Sequence, residues 1–120
     1  MIGLPSTVKI FLITEPTDMR KGFYTLADVV KRLGHNPLSG HLFVFLSSSG
    51  DRCKILFWSD GGFILWYKKL EQGKFKKPKI DTQEAEIFIS SSQLTLILEG
   101  IDFTTILNSA MWENTILVVI

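Results

Sequence analysis

The chain has 120 residues, 46% of them hydrophobic and 14 aromatic, with a formal net charge of +1. That is the size of one domain with its own core, and it is too apolar for disorder. A single cysteine excludes an intrachain disulfide, and the longest apolar runs, five residues as at Leu42–Leu46 and Ile116–Ile120, are far short of a membrane span of about 20.

Val8–Thr14, rich in Val, Ile and Phe, reads as a first strand. Pro16 breaks it, and Thr17 or Asp18 is the expected N-cap of a helix running to about Leu33. Phe23, Leu26, Ala27, Val30 and Leu33 form its apolar stripe. Gly34 and Asn36-Pro37 end it, with Lys31 and Arg32 complementing the dipole of the last turn. His41–Leu46, apolar on both faces, is expected to be a central strand. After the turn Ser47–Asp51 come strands at Arg52–Trp58 and Phe63–Lys69, joined by a hairpin turn at Asp60-Gly61.

A two-residue turn there sets the register: Ser59 faces Gly62 and Trp58 faces Phe63. Cys53, Ile55, Phe57, Ile64, Trp66 and Lys68 then share the core face. Arg52, Lys54, Leu56, Trp58, Phe63, Leu65, Tyr67 and Lys69 share the other. A slip of one residue would scramble both faces. Glu71–Asp81 is a polar loop, Glu86–Ile89 a short strand, and Ser90 with Gln93 a capping box. A second helix follows, with Leu94, Ile97, Leu98 and Ile101 as its stripe. The expected architecture is α+β: one small domain, mainly antiparallel, with a three-strand meander and two helices. Residues 1–103 carry that domain. Residues 104–120 form an apolar-ended tail that is a candidate contact between copies.

Charge is unevenly spread. The window Arg52–Lys79 carries +6 and the remainder −5, which suggests one basic surface on an otherwise acidic molecule. Arg52, Lys54, Lys69, Lys74, Lys76 and Lys77 are candidate phosphate contacts, with Tyr67 as a stacking platform. Arg20 and Lys21 join them, because cations at a helix N-terminus are unfavourable for the helix itself. The competing reading buries the aromatics under the second helix and leaves the lysines as a solvated fringe. If Trp58 and Phe63 are instead exposed, they are anchors for a protein partner.

Catalytic chemistry is poorly supplied. Cys53 lies on the expected core face, where a thiol is inert packing. His35 and His41 stand at element ends. No metal-ligand spacing and no phosphate-cradling loop occur, so neither a metal nor a cofactor is expected. Asp51 and Asp60 sit at opposite ends of one strand, roughly 20 Å apart, too far for a shared nuclease metal site.

Taken together, several segments are distinctive. They are Met1–Ser6, Thr17-Asp18-Met19-Arg20-Lys21-Gly22-Phe23, Leu38–Phe45, Gly50-Asp51-Arg52 with Lys54-Ile55-Leu56, Tyr67–Glu71, Gly73-Lys74-Phe75 and Leu98–Asp102. In this order they resemble the TnpB-type accessory protein of the IS-sixty-six class of bacterial insertion sequences, over roughly residues 1–103. The resemblance implies a role in DNA transposition beside a separate, larger transposase, and the poor supply of catalytic groups makes a non-catalytic role the expected one. DNA is then the expected partner, through residues 52–79, and the transposase the alternative one. No membrane is involved, and the setting is the cytoplasm. The chain departs from the family pattern at Ser59, which separates Trp58 from Asp60, in an extra cation within Gly73–Pro78, and in residues Leu107–Ile120.

Overall fold

The computed structural model describes residues 7–77 and 83–99. Seven elements follow one another. They are β1 (Ile10–Ile13), α1 (Phe23–Arg32), β2 (Leu42–Leu46), β3 (Arg52–Ser59), β4 (Gly62–Lys69), β5 (Glu86–Ile89) and α2 (Ser91–Glu99). The strands form one sheet in the order β4-β3-β2-β1-β5. Every pair is antiparallel except β1–β2, which is parallel because α1 carries the chain back between them. The fold is the expected α+β domain with a β2–β3–β4 meander.

The strands end where their residues dictate. Leu42–Leu46 is buried throughout and occupies the middle of the sheet, as its apolarity on both faces requires. The β3–β4 hairpin has the expected register, Ser59 opposite Gly62 and Arg52 opposite Lys69. Its turn is made by Asp60 and Gly61, both at positive φ, as a twist-matched two-residue turn needs. The capping box of α2 is reciprocal. Gln93 N–H donates to Ser90 Oγ at 3.1 Å, and Ser90 N–H donates to Gln93 Oε1 at 2.8 Å.

The first helix differs at its start. It begins at Phe23 with Gly22 as N-cap, not at Thr17 or Asp18. Asp18 is drawn off by the preceding loop: its carboxylate accepts from Arg20 N–H and from the Arg20 guanidinium, the closest approach being 2.6 Å. The end is as expected. Gly34, at φ +89°, lets its N–H reach the Lys31 carbonyl and the His35 N–H reach the Val30 carbonyl, a double closure that needs the left-handed conformation.

Both sheet faces are covered, giving three layers. Ile10, Leu12, Leu42, Val44, Leu46, Cys53, Ile55 and Phe57 form one apolar cluster with Leu94, Ile97 and Leu98 of α2. Ile13, Phe43, Phe45 and Leu56 form the other with Leu26, Ala27 and Val30 of α1. Phe63 and Leu65 therefore pack on the side of the first helix, not the second. Phe23, the first member of the α1 stripe, is left 44% exposed.

The two histidines have structural roles. His35 packs its ring 4.4 Å from Phe11 and places Nε2 2.5 Å from Glu86 Oε1, tying the end of α1 to β5. His41 Nδ1 accepts from Lys9 N–H at 3.0 Å, and burial, aided by Lys9, holds its pKa below the usual value. Cys53 is fully buried, and that burial pushes its thiol up to about 12. At pH 8 roughly one thiol in 10⁴ is then ionised. An aromatic disulfide reagent is expected to leave the native protein unlabelled at pH 8 and to label one thiol per chain in denaturant. Native-state labelling at the rate of a free thiol would show that Cys53 is not in the core.

Candidate nucleic-acid interface

Arg52 and Lys69 are direct cross-strand partners at one end of the hairpin. Both point to the α1 side, as alternation from Leu56 and Leu65 requires. Lys69 is exposed and Arg52 is half-buried. Like charges placed directly opposite each other weaken a sheet by up to about 1 kcal/mol; Asp51 offsets this in part, its carboxyl pKa being lowered first by the Ser49 hydrogen bond and also by these two cations. Tyr67 is the next residue on the same face and is 48% exposed.

Two other segments are fastened to this end. Leu70 N–H donates to the Asp51 carbonyl at 2.7 Å and Phe75 N–H to the Gly50 carbonyl at 2.8 Å. These bonds fold the loop 70–75 back onto the turn 47–51. Phe75 is buried in the α2-side core and anchors that loop. Gly50 is at φ +79°, and a Cβ there would meet the Lys74 side chain at 3.3 Å, so the glycine admits both the turn and the close lysine. Lys74, Lys76 and Lys77 are all exposed. From the other direction, the loop before α1 reaches over the sheet. Its Arg20 and Arg52 line one depression of about 600 Å³, together with Thr17, Ser47, Ser48 and Ser49.

Lys54 is the correction to the sequence reading. It lies on the expected face, but it is only 7% exposed. Its ammonium donates to the Met19 carbonyl at 2.8 Å and the Lys21 carbonyl at 2.7 Å, and sits 4.8 Å from the centre of the Tyr67 ring. Those are loop carbonyls left over because α1 starts late. Burial lowers the Lys54 pKa, with Asp18 opposing the shift. Lys54 therefore holds the Arg20–Lys21 loop against the sheet and is not presented to a ligand. Arg20 is 92% exposed but is charge-compensated by Asp18, whose pKa it lowers strongly through their hydrogen bonds. Lys21 is half-buried. Lys79 lies outside the described residues, as do Ile101 and the tail.

Trp58 and Phe63 do not stand free. They are half-buried and pack edge to face on each other, centroids 5.0 Å apart. Tyr24, which is 79% exposed, meets Phe63 edge-on. Tyr24, Phe63 and the half-exposed Leu38 line a second, smaller depression of about 190 Å³, rimmed by Asp28 and Lys31. Tyr24 and Leu38 were missed from sequence because each adjoins a strong element signal without being part of its stripe. Among the described residues no three His, Cys, Asp or Glu side chains come together as a metal site, and no helix is long and apolar enough to cross a membrane.

The model of the family described as IS66 Orf2 like protein matches residues 8–108. Two proteins of Sinorhizobium fredii (strain NBRC 101917 / NGR234) are similar along most of their length. The uncharacterized protein y4hO is 44% identical over 104 residues, which is 83% of this chain and 88% of the relative. The uncharacterized protein y4jC is 33% identical over 107 residues, 88% of this chain and 90% of the relative. No solved structure matches.

Proposed function

The chain belongs to the IS66 Orf2-like family of insertion-sequence accessory proteins, and from that premise we propose that it binds DNA through the basic end of its sheet. One observation supports the reading: basic segments are fastened to one end of the sheet beside a half-exposed tyrosine. Arg52 and Lys69 oppose each other on the hairpin, Lys74 lies close to Gly50 in the turn before it, and the main chain of Lys21 is held by Lys54, which faces Tyr67; the exposed Lys76 and Lys77 follow Lys74 in the chain. Such a cluster neutralises phosphates, while Tyr67 offers one ring face to a base, the other being occupied by Lys54. The function is non-catalytic in this reading: the patch positions or protects DNA for a transposase made separately.

With about six phosphates neutralised, log K against log salt for duplex DNA is expected to slope near −5. Anisotropy titrations of the full chain, on element-end and random duplexes, measure it. No binding at ~50 mM salt would overturn the reading.

A second reading rests on the apolar depression at Tyr24, Leu38 and Phe63, which is suited to a protein partner such as the transposase. In that case Tyr24→Ala and Phe63→Ala, but not glutamates at Lys74, Lys76 and Lys77, are expected to abolish co-purification with the transposase. The opposite pattern would refute it.

A further inference from the structure

We propose that β4 is a self-pairing edge, through which two copies of this chain join into one continuous sheet. The proposal shares Tyr67 with the DNA reading but rests on a different observation, the open strand edge. β4 is the end strand of the sheet, and among the described residues it pairs only with β3. It has eight residues, Gly62–Lys69, and from Gly62 to Tyr67 it holds no charge and no proline. Sheet edges in soluble proteins are normally blunted by inward charges, prolines, bulges or short length. The opposite edge, β5, has four residues and begins with a glutamate. Among the described residues β4 has none of these protections over its first six residues, and it leaves Ile64 43% and Tyr67 48% exposed.

The hairpin decides which backbone groups are on offer. Its two-residue turn makes Ser59–Gly62 a hydrogen-bonded pair, and bonded pairs then alternate along the ladder. The N–H and C=O groups of Ile64, Trp66 and Lys68 point to β3. Those of Phe63, Leu65, Tyr67 and Lys69 point outward. An antiparallel two-fold pairing that keeps each face on its own side must oppose odd residues to odd.

Two such registers pair seven residues of the strand. Centring on Trp66 sets Trp66 on its own copy and Leu65 against Tyr67, but it also sets Phe63 against Lys69 and Ile64 against Lys68, which places apolar groups on cations at both ends of the pairing. Centring on Leu65 sets Phe63 against the partner's Tyr67, and Ile64 against the partner's Trp66, each twice by symmetry. Aromatic–aromatic and aromatic–branched pairs are among the favourable cross-strand contacts. In the same register Lys68 falls opposite the partner's Gly62, and Lys69 opposite the partner's Gly61, one residue from the partner's Asp60. No like charges meet, and one opposite pair is brought near. The strand is therefore complementary to itself in one register, which argues for a second copy as its occupant. The edge is smaller than the ~800 Å² per partner of a standard interface, so the expected dimer is weak, with a dissociation constant of about 1–100 μM.

Sedimentation equilibrium of the full chain from ~1 μM to ~1 mM is expected to show a reversible monomer–dimer equilibrium. Ile64→Asp is expected to raise the dissociation constant about tenfold or more, whereas glutamates at Lys74, Lys76 and Lys77 leave it unchanged. Leu65→Cys on the two-fold axis is expected to form a disulfide-linked dimer under mild oxidation, because hydrogen-bonded partners lie about 5.5 Å apart at Cα. Ile64→Cys, displaced from its own copy by two residues, is expected not to crosslink. A monomer throughout, a dimer indifferent to Ile64→Asp, or equal crosslinking of the two cysteine variants would each overturn the proposal. Loss of DNA binding alone would leave it standing.

Discussion

An Arg52→Glu/Lys69→Glu double variant is expected to bind duplex DNA at least about 100-fold more weakly than the parent at ~50 mM salt. Each phosphate neutralised contributes about tenfold at that salt, because its counterion is released into a dilute solution. Two contacts are lost, and reversal adds repulsion. The salt slope should fall from near −5 to near −3.5 or shallower. The variant separates charge from fold. Arg52 and Lys69 are already a like-charged pair, so two glutamates keep a repulsion across the strands, but they also replace two cations beside the Asp51 carboxylate with anions. Its unfolding midpoint is therefore expected to fall, though only by the modest amount that exposed charges contribute. Binding within a few fold of the parent would remove this end of the sheet as the interface.

The second large effect concerns a residue that touches no ligand. Lys54→Met preserves most of the side-chain volume but deletes the ammonium that bonds the Met19 and Lys21 carbonyls and faces the Tyr67 ring. Hydrogen bonds from a charged donor contribute about 1.5–3 kcal/mol, partly offset here because the charge no longer has to be buried. A net loss of about 2 kcal/mol is expected, or roughly 10 °C in Tm for a domain of this size. The Arg20–Lys21 loop also loses its tether. DNA affinity should fall several-fold, with the slope reduced by about one because only Lys21 is withdrawn from phosphate. An unchanged midpoint would show that the buried ammonium holds nothing together. A slope reduced by about two would show instead that Lys54 meets DNA itself in addition to placing Lys21.

The two variants probe what periodicity can and cannot reveal. A strand's side chains alternate, so once Asp60-Gly61 is recognised as a two-residue turn, the face of every residue from Arg52 to Lys69 follows. Cys53, Ile55 and Phe57 are found together in the α2-side core for that reason. The capping box of α2 and the closure of α1 at Gly34 were legible because each depends on residues within one turn. The start of α1 was not. Asp18 has two local options, capping a helix or bonding Arg20, and the second prevails. That choice leaves the Met19 and Lys21 carbonyls for Lys54, across a gap of more than 30 residues.

The amino-acid sequence by itself determined the elements, the hairpin register, the all-apolar middle strand and the uneven charge, since each rests on neighbours along the chain. Only the tertiary structure decided which helix covers which face. It also decided that Lys54 lies inside and Tyr24 outside, and that Lys21, Lys69 and Lys74 reach the same end of the sheet. Those are questions of access and convergence, and they depend on carbonyls and side chains that meet only when β1, α1 and the hairpin are packed together.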